Sequence, residues 1–217
     1  MNLTSRPRAI VYIDGFNFYR RIVDGTPYKW LDLEMMCSLL FPEYEVTTIK
    51  YFTARVKPTP HDESQHVRQE IYFRALRINP KIELILGQFR SEAKSFPVHP
   101  WDYDENGSPL LAKVRFSQEK GSDVNLASHL IFDALKGKSD VYVVITNDSD
   151  QVGPLKLLLE EKHVHLGLVV PEGAPAKQLL GLNVPIIRTL RQSVLKASQL
   201  TTVLEDKHGP FSKPESW

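Results

Sequence analysis

Two short apolar runs, each delivering aspartate at its end, do most to limit the folds open to this chain. Ala9-Ile10-Val11-Tyr12-Ile13 runs straight into Asp14. Val141-Tyr142-Val143-Val144-Ile145 is followed closely by Asp148 and Asp150. Continuous, short, β-branched runs read as strands buried on both faces, the habit of parallel sheets. Further strands are expected at 46–56, 82–87, 163–170 and 184–187. Between them the sequence turns to helical spacing at about 31–40, 62–78, 123–136 and 152–162, and Pro42 stops the first of these. The helix at 62–78 is expected to bury Val67, Ile71, Ala75 and Ile78. Gly15 permits a tight turn from the first strand into a short helix. Strand and helix alternate throughout, which implies an α/β fold: a three-layer sandwich around a parallel sheet.

One stretch breaks the alternation. Residues 88–119 carry Pro97, Pro100, Gly107 and Pro109, and Asp104-Glu105-Asn106-Gly107 is a strong turn signal. They read as an inserted excursion, a β-hairpin or flap, within a domain spanning 1–190. Residues 191–217 read as a C-terminal helix and a frayed tail. The 217 residues suffice for one good core. With 27 basic and 26 acidic side chains the net charge is +1, which argues against a broad basic coat for nucleic acid but leaves room for a local groove. The single cysteine, Cys37, excludes an intrachain disulfide and sits in an apolar stretch, as a buried thiol would. No run approaches the ~18 apolar residues of a membrane span. The segment 1–8 leads into the first strand without the apolar core of a signal peptide, so a cytoplasmic protein is expected.

In open α/β sheets, ligands bind beyond the carboxyl ends of the strands, where the strand order reverses. Asp14, Asp148 and Asp150 lie at two such ends. Asp123 opens the helix just before the second, with Ser122 as a plausible N-cap. Carboxylates gathered there cannot all stay ionised cheaply without a cation. Oxygen ligands with no Cys or His beside them suit Mg²⁺ or Mn²⁺. Each acid also has a plain structural use: Asp14 and Asp150 as helix caps, Asp123 as a partner of a helix dipole. Asp133, later in the same helix, reads as surface. The stretch His61 to His66 lacks the spacing of a zinc protease helix, and His163 and His165 share a strand face without a third ligand.

Three segments together resemble a known family. Tyr12-Ile13-Asp14-Gly15-Phe16-Asn17-Phe18-Tyr19, Lys120-Gly121-Ser122-Asp123-Val124-Asn125-Leu126-Ala127 and Thr146-Asn147-Asp148-Ser149-Asp150 are similar, in this order, to the motifs of the NYN domain. That domain is the LabA-like branch of the PIN-like nucleases, and the likeness covers about residues 8–190. The resemblance implies a PIN-like fold and a Mg²⁺- or Mn²⁺-dependent endoribonuclease that hydrolyses single-stranded RNA. Asp14, Asp123, Asp148 and Asp150 would form the catalytic and metal-binding set, with Asn17 as a polar helper. A divalent ion there would activate water and offset charge on the phosphoryl oxygens. Two positions depart from the family: Asn147 stands where glycine is frequent, and His129 where many relatives carry a second acid.

Candidates for holding RNA are Lys120 beside the central motif, Arg68 and Arg74 on the helix with Tyr72 and Phe73, and Lys113 in the excursion, since cations and aromatic rings together grip single strands. Trp101 and Tyr103 would line a channel or meet a partner, a second copy included. Two other readings stand beside the nuclease. One is a non-catalytic module that binds RNA or protein. The other is a small-molecule catabolic enzyme that hydroxylates a pyridine ring, as some NYN-like chains are assigned. Such an enzyme needs an electron donor, and the sequence carries no flavin, haem or nicotinamide fingerprint.

Overall fold

In the computed structural model, which describes residues 5–217, β1 (Arg8–Asp14) leads into α1 (Gly15–Phe18), and this loosens into a π-helical turn at Tyr19–Val23. α2 (Leu33–Leu40), β2 (Glu45–Thr53), α3 (Gln65–Leu76) and β3 (Ile82–Leu86) follow. β4 (Gln88–Pro97) and β5 (Leu111–Lys120) come next, then α4 (Ser122–Leu135) and β6 (Val141–Ile145). A 3-10 turn at Ser149–Gln151 runs into α5 (Val152–Leu159). The chain ends with β7 (Leu166–Pro171), α6 (Lys177–Leu180), β8 (Ile186–Leu190), α7 (Gln192–Ala197), β9 (Val203–Asp206) and β10 (Gly209–Ser212). What was expected of residues 1–4 lies outside the described residues.

Six strands form one sheet in the order β3-β2-β1-β6-β7-β8, and every pairing in it is parallel. The chain builds outward from β1 in one direction, then returns and builds outward in the other. The reversal falls between β1 and β6, the two runs that deliver aspartate. Because strand side chains alternate, β1 feeds two cores. Val11 and Ile13 join Trp30, Met36, Phe73 and Leu76 beneath α2 and α3. Ile10 and Tyr12 join Phe52, Leu126, Leu130 and Leu155 beneath α4 and α5. The result is the three-layer α/β sandwich expected. Cys37 is buried, and burial pushes its thiol pKa up, away from nucleophilic use.

The excursion is a hairpin arm. β4 and β5 pair antiparallel over their full length, from Gln88 with Lys120 to Pro97 with Leu111, and form a sheet of their own. Its base is pinched. A Cβ at Gly87 would lie 2.5 Å from Glu119 Oε1 and 2.8 Å from the Lys120 carbonyl, and Gly121 opposite has φ of +99°. Only glycine fits such an approach and such a conformation.

Three local expectations are corrected. α3 buries Tyr72, Phe73, Ala75 and Leu76, while Val67 and Ile78 are exposed. The two aromatic rings hold more apolar area than Val67 and Ile78 together, and they decide which face turns inward. Ser122 is inside α4, its hydroxyl donating to Glu119 Oε1 at 2.8 Å, and left-handed Gly121 takes the cap position. The tail is not frayed: β9 and β10 form a hairpin, Leu204 and Phe211 pack on the core, and Trp217 meets Trp30 and Tyr72 edge-on. Among the described residues no helix is long and apolar enough to cross a membrane.

Candidate functional site at the carboxyl edge of the sheet

Asp14 ends β1 and caps α1. One carboxylate oxygen accepts from the Asn17 N–H at 3.1 Å, and the other accepts from the Thr146 hydroxyl at 2.8 Å. Thr146 Oγ1 also accepts from the Asp148 N–H at 3.0 Å, which ties the ends of β1 and β6 together. Asp148 in turn caps the 3-10 turn, accepting from the Asp150 N–H at 3.0 Å. Asn17 reaches across, its side-chain oxygen accepting from the Asn147 N–H at 2.9 Å. Asn147 uses both ends of its amide on the loop before α6, donating to the Ala174 carbonyl and accepting from the Ala176 N–H. Asn147 therefore has a defined structural use.

The first turn of α4 brings Asp123 to the same place. One oxygen each from Asp14, Asp123 and Asp148 lie within 4.8 Å of one another. Asp14 is nearly fully buried, and its pKa is pushed up to about 7. Burial is the main cause, the charges of Asp123 and Asp148 add to it, and the bonds from Thr146 and Asn17 oppose it. Burial and the charges of Asp148, Glu119 and Asp150 raise Asp123 as well. Three carboxylates whose ionised forms crowd one another would accept a hard divalent cation. Asp150 is exposed and stands outside this triad, so the set of four closes to three. Asn17 serves the site by bracing Asn147.

The cations proposed to grip a polymer are dispersed. Arg74 is engaged by the C-terminal hairpin: it donates to both carboxylate oxygens of Asp206, at 2.7 and 2.6 Å, and to the Gly209 carbonyl, and it stacks on Phe211. Arg68 is bonded to Asp62. Lys113 and Lys120 are exposed on the arm, Lys120 at its foot.

A second polar cluster lies inside the layer between the sheet and α4. Asp133, which reads as surface in the sequence, is 1% exposed. It accepts from Lys50 Nζ at 2.5 Å, from the Tyr12 hydroxyl at 2.8 Å and from Lys138 Nζ at 2.6 Å. Burial pushes this carboxyl up, yet the bonds from Lys138, Lys50 and Tyr12 outweigh it and hold the pKa below the usual range. His129 borders the cluster, with Nδ1 3.5 Å from Lys50 Nζ and its ring edge-on to Phe52. It is not among the triad's ligands.

On the other side of α1 a cavity of about 130 Å³ opens between α1, α3 and the end of β2. Sequence reasoning missed it, and missed Thr146 and Lys50 as well. The signal for Thr146 was its place at the head of the third motif. The signal for Lys50 was a charge in the middle of a buried parallel strand.

Fold and site together define an open parallel α/β protein with an acidic triad at its strand-order switch. No family model matches the chain. A protein of unknown function from Vibrio parahaemolyticus has a similar crystal structure: TM-score 0.57, 14% identity, 88% of this chain and 97% of that one covered, a likeness of fold. The 6-hydroxy-3-succinoylpyridine 3-monooxygenase HspA of Pseudomonas putida is 33% identical over 99% of this chain and 77% of its own length. The chain belongs to the family of that monooxygenase. This overturns the endoribonuclease reading. A monooxygenase is an oxidoreductase, and this conflicts with the nuclease and its hydrolase chemistry.

Proposed function

We propose that this protein is a small-molecule monooxygenase acting on a hydroxylated pyridine-type ring, the third of the readings above. The observation that carries it is the 33% identity with HspA, which runs through nearly the whole chain. In such a reaction one atom of O₂ enters the substrate and the other leaves as water, and a reduced donor supplies two electrons with two protons. The carboxyl edge of the sheet supports this reading because it places a titratable carboxyl, Asp14, next in the chain to Gly15 and Phe16, which line an aromatic cavity.

We also propose that Asp14, Asp123 and Asp148 hold one Mg²⁺ or Mn²⁺, which suits an all-oxygen donor set. When bound, the ion would neutralise the three carboxylates and act as a Lewis acid. Around it the chain's own residues are ordered: Thr146 fixes Asp14 against Asp148, and Asn17 and Asn147 fix the two loops that frame the edge.

The direct test supplies the purified protein with 6-hydroxy-3-succinoylpyridine, ¹⁸O₂ and, in turn, reduced nicotinamide, reduced flavin and a reduced iron–sulfur donor. The expected result is oxygen uptake matched to substrate loss, with one ¹⁸O in the product. Absence of ¹⁸O from every product across all three donors overturns the reading. For the ion, Mn²⁺ should raise the melting temperature of the wild type and leave Asp148→Asn unmoved.

A further inference from the structure

We propose that the cavity between α1, α3 and the end of β2 seats the ring itself, taking one flat, hydroxylated six-membered heteroaromatic and holding its oxygen substituent through Tyr51 and Thr53. The inference rests on the oxygenase reading for the kind of ring, and on the cavity's own chemistry for the place.

Size comes first. A dry engineered cavity of ~150 Å³ binds benzene. At about 130 Å³ this one has room for a single ring and its small substituents. Its walls are aromatic: Phe16, Phe18, Tyr51, Tyr72, Phe73 and Trp217 line it. Flat π-surfaces of this kind favour stacked or edge-on contact with another ring.

The polar groups on these walls sort into spent and free. The Tyr72 hydroxyl donates to the Leu31 carbonyl at 3.0 Å. Gln69 donates to the Ala54 carbonyl and accepts from the Val56 N–H, and Gln65 donates to the Lys57 carbonyl. Tyr51 and Thr53 differ. They are 6% and 3% exposed, both line the cavity, and neither side-chain hydroxyl has a hydrogen-bond partner among the described residues. Two residues apart on β2, they present side chains to the same face. Both hydroxyls are accessible at the cavity surface and uncommitted, so a ligand oxygen or ring nitrogen entering the cavity can bond to them.

Gly15 sets the position of the phenol. A Cβ there would lie 2.8 Å from Tyr51 Cζ, the carbon that bears the hydroxyl. Tyr51 is thus pressed against the turn that follows Asp14, so a ring held by its hydroxyl sits beside the acidic edge. At the mouth, Arg68 is paired with Asp62 and Lys29 lies 3.8 Å from Asp24, while Arg20 has no ionic partner among the described residues. An acidic tail on the ring would leave past Arg20.

The test is calorimetric binding of 6-hydroxypyridine-3-carboxylate, and of pyridine-3-carboxylate which lacks the hydroxyl, to the full chain. Wild type should prefer the hydroxylated ring. Tyr51→Phe should lose roughly threefold to tenfold on that ring and nothing on the other, the scale of one hydrogen bond. Thr53→Val, nearly isosteric, should lose about threefold and serves if the tyrosine variant folds poorly. Lys113→Ala, exposed on the hairpin arm and outside the cavity lining, should bind as wild type does. Failure of wild type to bind either ring, unchanged affinity in both hydroxyl variants, or an equal loss in Lys113→Ala overturns the inference. Selective binding that Tyr51→Phe weakens, in a protein that oxygenates nothing, keeps the cavity and sinks the oxygenase reading. Oxygenation untouched by either hydroxyl variant does the reverse.

Discussion

Asp123 and Asp133 stand on one helix, α4, about 15 Å apart along its axis, and they have opposite fates. Asp133 is the more deeply buried, yet three donors surround it and its ionised form is favoured. Asp123 is half-buried, faces two other carboxylates, and its ionised form is disfavoured. Depth of burial therefore does not mark a carboxylate as functional. What separates the two is whether the protein itself supplies the opposite charge. Around Asp133 it does, and the group serves the fold. Around Asp123 it does not, and the neighbouring carboxylates oppose its charge.

The comparison can be broken most forcefully at Asp133. Asp133→Ala leaves the Lys50 ammonium buried with His129 Nδ1 at 3.5 Å and, as its remaining acidic partner among the described residues, the exposed Glu83 at 3.9 Å. A loss on the order of 5 kcal/mol in urea unfolding is expected. The double variant Lys50→Met/Asp133→Leu should recover most of it, because a buried pair can be exchanged for apolar packing. No recovery would mean the cluster does more than hold α4 to the sheet.

Asp14→Asn is the sharper probe at the edge. A carboxyl whose folded pKa lies above its unfolded value keeps its proton longer in the native state. Its contribution is therefore neutral below about pH 4 and destabilises progressively as pH rises toward 7. Between those limits the wild type should lose roughly 4 kcal/mol relative to Asp14→Asn. Parallel stability curves for the two proteins, measured by denaturant titration at each pH without divalent ions, would disprove a raised Asp14 pKa, which burial chiefly and the neighbouring charges in addition produce.

The smallest effect is expected at Arg74→Ala. The Asp206 pair is partly buried and bidentate but lies at the rim of the fold, so the melting temperature should fall by only a few degrees. Amide exchange should instead quicken across β9 and β10, which Arg74 fastens to α3. Faster exchange at the carboxyl edge in place of the hairpin would show that Arg74 acts elsewhere.

The sheet was legible because its strands are continuous apolar runs, and the triad because two of those runs end in aspartate. Asp133 was misread, although the spacing from Leu126 and Leu130 places it on the buried stripe of α4. Its partner Lys50 comes from a strand 83 residues away, and no local pattern announces such a pair. The tail was misread for a similar reason: its hairpin depends on Arg74 and on the rings of Trp30 and Tyr72, all distant in sequence. The cavity was invisible because its walls come from α1, β2, α3 and the last residue described. The reaction class could not be read from the motifs at all. An acidic triad at a sheet edge is generic oxygen chemistry, and the nuclease reading borrowed its specificity from the resemblance.

The two glycines at the base of the hairpin arm give the molecule a fulcrum. Ten residues of strand reach about 34 Å, so a twist of roughly 10° at Gly87 and Gly121 sweeps the far end of the arm through about 6 Å. Asp123 stands two positions beyond Gly121, next to the axis of any such twist, where displacement is smallest. Trp101 and Tyr103 lie in the loop at the far end of that lever, while Glu119 at its foot accepts from the hydroxyl of Ser122, one position before Asp123.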